Sequence, residues 1–393
     1  MSTKAILLLS MLMLAGKSKL LAQFNADSLT QELNKLWERS DLPGFAVSLV
    51  SAQGTIYEQG FGYADKQFKT PFTPETIINL GSVSKTVLGV AVIKAVEDGS
   101  LTMDSEINEF LPFEIKNPYF PTIPILVRHL ITHSSTILDT RHYSKSYISL
   151  FEGMDMEGDS VSTDFQRFLN EHQKINLRDF VQSILTTDGS WYKQRNFLHK
   201  KPGSMVHYSN LNASVTALVL ENSTFYPFKA FTEQRIFDTL GMYSSGWSVD
   251  EIDMSKYATL YFPNGKTLPR YQLITYPDGG LLSSVHDLSK FLTEMIIVFN
   301  GTSGFLNDKY AELLFPGDGD LDRSFWGMSG SEYIGERGSD PGIQSDIQFN
   351  RTSKIGRVIL CNVNADEDEI LYRDYREIHQ ILTRYEAQIS EKN

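Results

Sequence analysis

The feature that most constrains the fold is an apolar helix in the stretch "NLGSVSKTVLGVAVIKAVEDGSLTMD", residues 79–104. Its apolar side chains cover more than one side of a helix, as these five do: Val83, Val87, Val90, Ala91 and Ala95. A helix that is apolar around most of its circumference is normally buried. Asp98-Gly99 ends it, because glycine readily adopts a left-handed C-terminal cap. The sequence therefore predicts a central helix whose first turn carries Ser82 and Lys85.

Strand patterns lie near both ends of the chain. Residues 27–40 have helical spacing, and two strands joined by the turn "SAQG" follow at 44–65. After residue 265, strand patterns return in "YQLITYPDGG", "RSFWGMSGSEYIGE", "SDIQFN" and "RVILCNVN", and the tail has the pattern of a closing helix. Residues 139–162 predict an exposed loop or lid. This order favours one sheet built from both ends of the chain, with a helical insertion.

Charge and cysteine content exclude several classes of function. The chain has 36 basic and 48 acidic side chains, a net charge of −12, and no basic stripe, so nucleic acid is not an expected partner. The single cysteine, Cys361, excludes an internal disulfide and any multi-cysteine metal site. It lies in the apolar run "RVILCNVN", which predicts a buried, inert thiol.

The first 23 residues have the pattern of a secretory signal peptide. Lys4 precedes an apolar run from Ala5 to Ala15, and small residues follow near Ala22. The alternative is an uncleaved anchor, although the run is short for a membrane span. We therefore expect an exported, periplasmic or extracellular protein with no stable membrane span after cleavage.

Ser82 and Lys85 form a possible nucleophile and its activating group. Residues three apart share one side of a helix, so both side chains should face the same cleft. A serine hydroxyl needs a base within hydrogen-bonding reach, and desolvation in an apolar helix can lower the pKa of a lysine enough for that task. A second Ser-x-x-Lys spacing, Ser190 to Lys193, opens no apolar helix. Placement therefore favours Ser82.

A second signal is "KPGSMVHYSNLNASVTALVLE", residues 201–221. Tyr208 and Asn210 precede an apolar helix there. By itself the pattern is typical of a loop tyrosine followed by a helix-capping asparagine. The functional interpretation brings a phenol and an amide into the cleft, where a lysine ammonium would help the phenol to act as a general base.

"GSVSKT" and "PGSMVHYSN" together resemble the serine β-lactamase and penicillin-binding-protein superfamily, which uses Ser-x-x-Lys. The likeness is greatest to the branch of class C β-lactamases, D-alanyl-D-alanine carboxypeptidases and related esterases. It extends from about residue 40 to 365 through "TPFTPETIINLGSVSK", "EDGSLTMDSEINEFLP", "VRHLITHSST", "RIFDTLGMYSSGW" and "DGGLLSSVHDLSKFL". The resemblance implies an α/β fold, an antiparallel sheet flanked by helices. Residues 24–95 and 265–393 would form this sheet domain, and residues 96–264 an inserted all-helical domain.

The resemblance also implies roles for individual residues. Ser82 would be the acylated nucleophile, Lys85 its activating partner and Tyr208 the general base. Asn210 would bind a substrate amide or carbonyl, and the backbone N–H of Ser82 would form half of an oxyanion hole. His133 would support the fold rather than react. No metal or organic cofactor would be required.

The third motif of that superfamily, Lys-Thr-Gly or His-x-Gly on an edge strand, is altered here. Glu336-Arg337-Gly338 stands in the matching position within "YIGERGSDPGIQSDIQF". Gly338 would let the substrate approach the strand, and Ser339 would supply the second oxyanion N–H. Glu336 would repel a substrate carboxylate and raise the pKa of Lys85 or Tyr208.

The sequence thus predicts a serine hydrolase that acts on a small-molecule or peptide ester or amide through an acyl-enzyme. Two alternatives stay open. The chain could be a catalytically impaired envelope protein that binds a partner through the same cleft, or a true D-alanyl carboxypeptidase or β-lactamase. The sequence does not determine the oligomeric state.

Overall fold

The computed structural model describes residues 25–150, 160–315, 325–330 and 332–390. The predicted signal peptide lies outside these residues, and so does most of the second half of the predicted loop at 139–162. Of the helices in the described part of the chain, none combines the length and the apolar character that a bilayer crossing needs.

The main sheet has seven antiparallel strands in the order β3-β2-β1-β11-β10-β9-β8. These strands are β1 (Gly44–Ser51), β2 (Gly54–Asp65), β3 (Thr70–Pro71), β8 (Gly327–Ser329), β9 (Tyr333–Asp340), β10 (Ile343–Asn350) and β11 (Gly356–Cys361). Strands from the two ends of the chain meet where β1 pairs with β11. The prediction of one sheet built from both ends is therefore confirmed.

Helices cover both faces of this sheet, so β1 is buried along its whole length. The terminal helices α1 (Ala26–Arg39) and α12 (Glu369–Ser390) pack on one face. The larger core on the other face includes α2 (Ser84–Glu97) and α10 (Val285–Phe299). Cys361 is buried in the layer below α12, and burial raises the pKa of its thiol to about 12. The thiol is therefore inert, as predicted.

The other α-helices of the described residues lie between and beside these elements. They are α3 (Val127–Ile131), α4 (Ser160–Asn170), α5 (Leu177–Leu185), α6 (Asn210–Thr224), α7 (Phe228–Thr232), α8 (Asp238–Leu240), α9 (Tyr276–Gly279) and α11 (Asp308–Leu314). Two short strand pairs lie apart from the main sheet: β4 (Ile78–Asn79) with β7 (Leu282–Ser283), and β5 (Tyr147–Ser149) with β6 (Tyr271–Leu273). The boundaries at 95/96 and 264/265 between a sheet domain and a helical domain stay a prediction.

Two sequence predictions need correction. In "YQLITYPDGG" only β6 is a strand, and it pairs with β5 rather than joining the main sheet. The next residues form α9, where Pro277 occupies the first turn because its fixed φ suits that position. Residues 143–149 are not an exposed loop, since the side chains of Ser146, Ile148 and Ser149 are buried.

The central helix α2 is preceded by a 3₁₀ turn, Gly81–Val83, and ends before Gly99, whose φ of +74° is the expected left-handed cap. Strand β9 lies directly against this turn. A Cβ built on Gly338 would stand 2.0 Å from the carbonyl oxygen of Leu80, so only glycine fits. This close approach brings the edge of the sheet beside Ser82.

Candidate active site

Three side chains meet at the N-terminal end of α2. The Ser82 Oγ lies 2.6 Å from the hydroxyl of Tyr208, and the Lys85 Nζ donates a hydrogen bond of 3.0 Å to the same Oγ. The Lys85 Nζ also lies 5.2 Å from the centre of the Tyr208 ring. These distances are within the range needed for proton transfer to and from a serine hydroxyl.

Different parts of the chain supply these groups. Ser82 lies in the 3₁₀ turn and Lys85 in the first turn of α2, so their spacing alone brings them together. Tyr208 comes from the loop before α6, 126 residues after Ser82. Asn210 is the first residue of α6, with its side chain half-buried.

Asp139 fixes the loop that carries Tyr208. Its carboxylate accepts hydrogen bonds from the Ser209 hydroxyl at 2.7 Å, the Asn210 N–H at 2.8 Å and the Leu211 N–H at 3.1 Å. It therefore caps the N-terminus of α6 from a distant part of the chain. Sequence reasoning missed this residue, because nothing in the local sequence links positions 70 residues apart.

His133 supports the same loop from behind. Its Nδ1 accepts hydrogen bonds from the backbone N–H of Ser209 at 3.3 Å and from the Asn212 side chain at 3.1 Å. Burial, reinforced by the positive charge of Lys85, lowers the pKa of His133 to about 3. The imidazole is therefore neutral near pH 7, which agrees with the predicted supporting role.

Lys85 is 1% exposed, and its ammonium also donates to the backbone carbonyl of Asp278. Burial by itself would lower the pKa of Lys85, but Tyr208, Asp278 and Glu336 together raise it above its usual value when they are ionised. Desolvation therefore does not leave Lys85 with a lowered pKa, and Glu336 contributes to raising it, as the sequence predicted. Desolvation by the apolar helix lowers the pKa of Lys85, and the surrounding oxygens raise it by more.

The surroundings of Tyr208 shift its pKa in opposite directions. Its side chain is 46% exposed overall, yet its hydroxyl is enclosed by Ser82 and Lys85. Burial of that hydroxyl raises the pKa of Tyr208, Lys85 lowers it in part, and Glu336 raises it further. At neutral pH the phenol is therefore mostly protonated.

Three carboxyl groups surround Lys85. Burial raises the pKa of Asp278 and of Glu336 to about 7 and that of Asp340 to about 6, although Lys85 lowers each of them. Asp278 accepts a hydrogen bond of 2.9 Å from Tyr143, and Asp340 accepts one from Tyr147. Sequence reasoning identified Glu336 but missed Asp278 and Asp340, which the unexpected α9 and β5 elements help to position.

Side chains alternate along β9, as strand geometry requires. Glu336 and Gly338 face α2, whereas Arg337 binds Asp366 at 2.6 Å on the other face. The side chain of Ser339 also points away from the cleft, towards Asn364. Its backbone nitrogen is close to the nucleophile turn, 3.0 Å from where a Cβ on Gly81 would lie. Ser339 could therefore contribute its N–H, but not its hydroxyl, to the cleft.

Within the ranges that the structure describes, no three His, Cys, Asp or Glu side chains are grouped so that they could hold a metal ion. The arrangement around Ser82 consists of a nucleophile, a phenol and a cation, which together can carry out acyl transfer.

Comparison with protein families identifies one match over most of the chain. The family model described as "Beta-lactamase" matches residues 29–380. Among curated proteins, the human mitochondrial serine beta-lactamase-like protein LACTB is 26% identical over 307 residues, which cover 67% of this chain and 55% of that protein. The chain thus spans little more than half the length of this relative.

Two solved structures have the same fold. A penicillin-binding protein homologue from Pyrococcus abyssi, described as octameric, is 24% identical, with a TM-score of 0.65 over 86% of this chain and 73% of that one. A D-amino acid amidase from Ochrobactrum anthropi SV3, complexed with L-phenylalanine amide, is 18% identical, with a TM-score of 0.65 over 92% and 99% of the two chains. At these identities the likeness establishes the fold, an antiparallel sheet flanked by helices.

Proposed function

Because the chain belongs to the beta-lactamase family of serine hydrolases, we propose that it hydrolyses an ester or amide through an acyl-enzyme on Ser82. One observation carries this proposal: the Ser82 Oγ is hydrogen-bonded to both the Tyr208 hydroxyl and the Lys85 ammonium. A serine held between a potential base and a cation is activated for attack on a carbonyl carbon.

The reactive form of the site has Tyr208 as a phenolate and Lys85 as an ammonium. As the Ser82 oxygen bonds to the substrate carbonyl carbon, its proton moves to the Tyr208 oxygen. The backbone N–H groups of Ser82 and Ser339 stabilise the oxyanion that forms. The bond to the leaving group then breaks, and Tyr208 gives its proton to that group.

Water releases the acid in the second half of the reaction. It attacks the acyl carbon and loses a proton to Tyr208, the bond to Ser82 breaks, and the Ser82 oxygen takes the proton back. Asn210, two residues after Tyr208, orients the amide or carbonyl of the acyl group. Tyr208 thus acts as base and then as acid in each half.

Glu336 directs the choice of substrate. Its carboxyl interacts with both Lys85 and Tyr208, so it is close to the reacting atoms. Near neutral pH about half of it is charged, since its pKa is about 7. A leaving group with its own carboxylate would be repelled there, which favours neutral esters and amides over D-peptide acids and β-lactams.

A substrate panel tests the proposed function. Wild type, Ser82→Ala and Ser190→Ala would be compared on p-nitrophenyl acetate, p-nitrophenyl butyrate, nitrocefin and a D-alanyl dipeptide. We expect the wild-type protein to hydrolyse the esters. In Ser82→Ala the rate of ester hydrolysis should be at least about a thousandfold lower. Ser190→Ala, the matched control at the other Ser-x-x-Lys spacing, should keep the wild-type rate. Folded wild-type protein that hydrolyses none of these compounds would favour the alternative, an envelope binding protein that uses the same cleft.

Export of the protein is a further proposal. It is supported by the signal-like pattern of residues 1–23, with an apolar run between Lys4 and Ala22. The mass of the mature N-terminus after expression in a host with a secretion pathway tests it. A chain that keeps residues 1–23 and stays in the cytoplasm would contradict export.

A further inference from the structure

A cavity of about 290 Å³ is linked to the candidate active site through Asp139. It lies between residues 138–142 and 193–196. Its lining residues include Asp139, which also binds the Asn210 N–H at 2.8 Å. Asp139 thus connects the cavity to the point where the loop that carries Tyr208 enters α6.

The walls of this cavity are held in place by hydrogen bonds and a ring stack. The Leu138 N–H donates to the carbonyl of Asn196 at 3.0 Å, and the buried Asn196 side chain donates to the carbonyls of Ile184 and Trp191. His142 stacks on Trp191, with ring centroids 5.7 Å apart and planes 8° from parallel. The cavity is therefore formed by ordered segments.

The cavity has an unusual charge for a chain with a net charge of −12. Four cations surround His142: Arg141, Lys145, Lys193 and Arg195. Arg141, Lys193 and Arg195 line the cavity together with His142, and the Lys145 Nζ lies 4.9 Å from the centre of the Trp191 ring on which His142 stacks. Among the described residues, none of the four forms an ion pair with a carboxylate.

Asp139 is the one carboxylate among the lining residues, and it offsets only one of the three cations that line the cavity, Arg141, Lys193 and Arg195. Both of its oxygens are engaged by the donors at the start of α6, which Ser209, Asn210 and Leu211 supply. The two sides of the site therefore differ in charge. Glu336 on β9 interacts with Lys85 and Tyr208, whereas the cavity that Asp139 connects to Asn210 has an excess of positive charge. A guanidinium pair is well suited to a carboxylate, which it can bind with paired N–H groups.

We propose that this basic cavity binds a carboxylate at the far end of the substrate's acyl group. The inference rests on the proposed function, since it places the acyl carbonyl at Ser82 and the acyl chain past Asn210. The substrate would then be a half-ester or half-amide of a dicarboxylic acid, with a leaving group that is not anionic. Arg141 and Arg195, both exposed at the cavity, would determine this specificity.

Matched esters test the inference. Mono-p-nitrophenyl esters of glutaric, adipic and suberic acid would be compared with neutral p-nitrophenyl esters of the same chain length. At low salt we expect a higher kcat/KM for at least one of the acidic esters than for its neutral counterpart. In the double variant Arg141→Gln/Arg195→Gln, the ratio of kcat/KM for the acidic ester to kcat/KM for the neutral ester should fall about fivefold. The change is modest because exposed charge pairs contribute little to binding. The wild-type ratio should also fall as sodium chloride is raised, because salt screens these charges.

A control variant removes the same charge elsewhere. Lys35→Gln/Arg376→Gln changes two exposed cations on α1 and α12, on the other face of the sheet, and should leave the ratio as in wild type. If Ser82-dependent ester hydrolysis persists but the ratio of kcat/KM for acidic and neutral esters is the same in Arg141→Gln/Arg195→Gln as in wild type, the inference is overturned and the proposed function is not. Loss of hydrolysis for every ester in folded wild-type protein would overturn the proposed function and this inference together.

Discussion

The imidazole of His133 packs against the phenol of Tyr208, with ring centroids 4.4 Å apart and planes inclined by 32°. The histidine backbone has a φ of +54°, a conformation that side chains other than glycine rarely adopt. The surrounding hydrogen bonds to Ser209 and Asn212 hold it there. The position of the candidate base therefore depends on a residue that does not itself touch Ser82.

His133→Ala should reduce both stability and turnover. The change removes the ring behind Tyr208 and leaves the buried donors of Ser209 and Asn212 without their acceptor. We expect the free energy of unfolding to fall by about 2–4 kcal/mol. Urea denaturation and kcat on a neutral ester measure the two effects. His207→Ala, an exposed histidine beside Tyr208, is the matched control and should change stability by less than about 0.5 kcal/mol. Equal behaviour of the two variants would contradict the supporting role.

Asp139→Ala should reduce activity more than its effect on stability explains. Losing the cap of α6 should lower the free energy of unfolding by about 1–2 kcal/mol. The loop that carries Tyr208 loses its anchor as well, so kcat/KM should fall at least about tenfold. Asn176, whose side chain caps α5, provides the control. Asn176→Ala should cost similar stability and leave kcat/KM near the wild-type value; an equal loss of kcat/KM in both variants would show that Asp139 acts through stability alone.

Glu336→Gln should shift the pH dependence of activity. The negative charge of Glu336 raises the pKa of Tyr208, and the reactive form of Tyr208 is the phenolate. Removing that charge lowers the pKa of the phenol, so the rise of kcat/KM with pH should move to lower pH. A pH series from 6 to 10 on a neutral ester measures the shift, with Glu369→Gln at the exposed start of α12 as the control. A rise at unchanged pH, or at higher pH, would contradict the assigned influence of Glu336.

Glu336→His should change the choice of substrate. A neutral or cationic imidazole in place of a carboxylate removes the repulsion of an anionic leaving group. We therefore expect the kcat/KM for nitrocefin or a D-alanyl dipeptide to rise relative to that for p-nitrophenyl acetate. The ratio for each pair, measured at pH 8 where Glu336 is mainly charged, tests this. An unchanged or lower ratio would mean that Glu336 does not set this specificity.

Much of the fold follows from local sequence. The terminal helices, the hairpin at 44–65 and the buried helix α2 have patterns that short-range periodicity identifies. The stretch at 271–280 was harder, because "YQLITYPDGG" has β-branched and aromatic residues that favour a strand, yet Pro277 begins the turn of α9. Tyr143 and Tyr147 form hydrogen bonds with buried carboxyls, and no local pattern could reveal those distant partners.

Like the fold, the site has a part that the local sequence predicts and a part that depends on tertiary contacts. Ser82 and Lys85 are neighbours through helical spacing, whereas the approach of Tyr208 was expected from a family resemblance and not from periodicity. The sign of the pKa shift of Lys85 could not be obtained from the apolar character of α2. It depends on the oxygens of Tyr208, Asp278 and Glu336, which approach from three other segments of the chain. The cap that Asp139 provides is likewise a product of tertiary structure.

Covalent labelling with a fluorophosphonate, read by intact-protein mass spectrometry, tests most directly whether Ser82 is the activated nucleophile. We predict one adduct on wild-type protein, with peptide mapping to Ser82. The same adduct should form on Ser190→Ala, and none on folded Ser82→Ala. Labelling of Ser82→Ala at the wild-type rate, or no labelling of folded wild-type protein, would contradict the account.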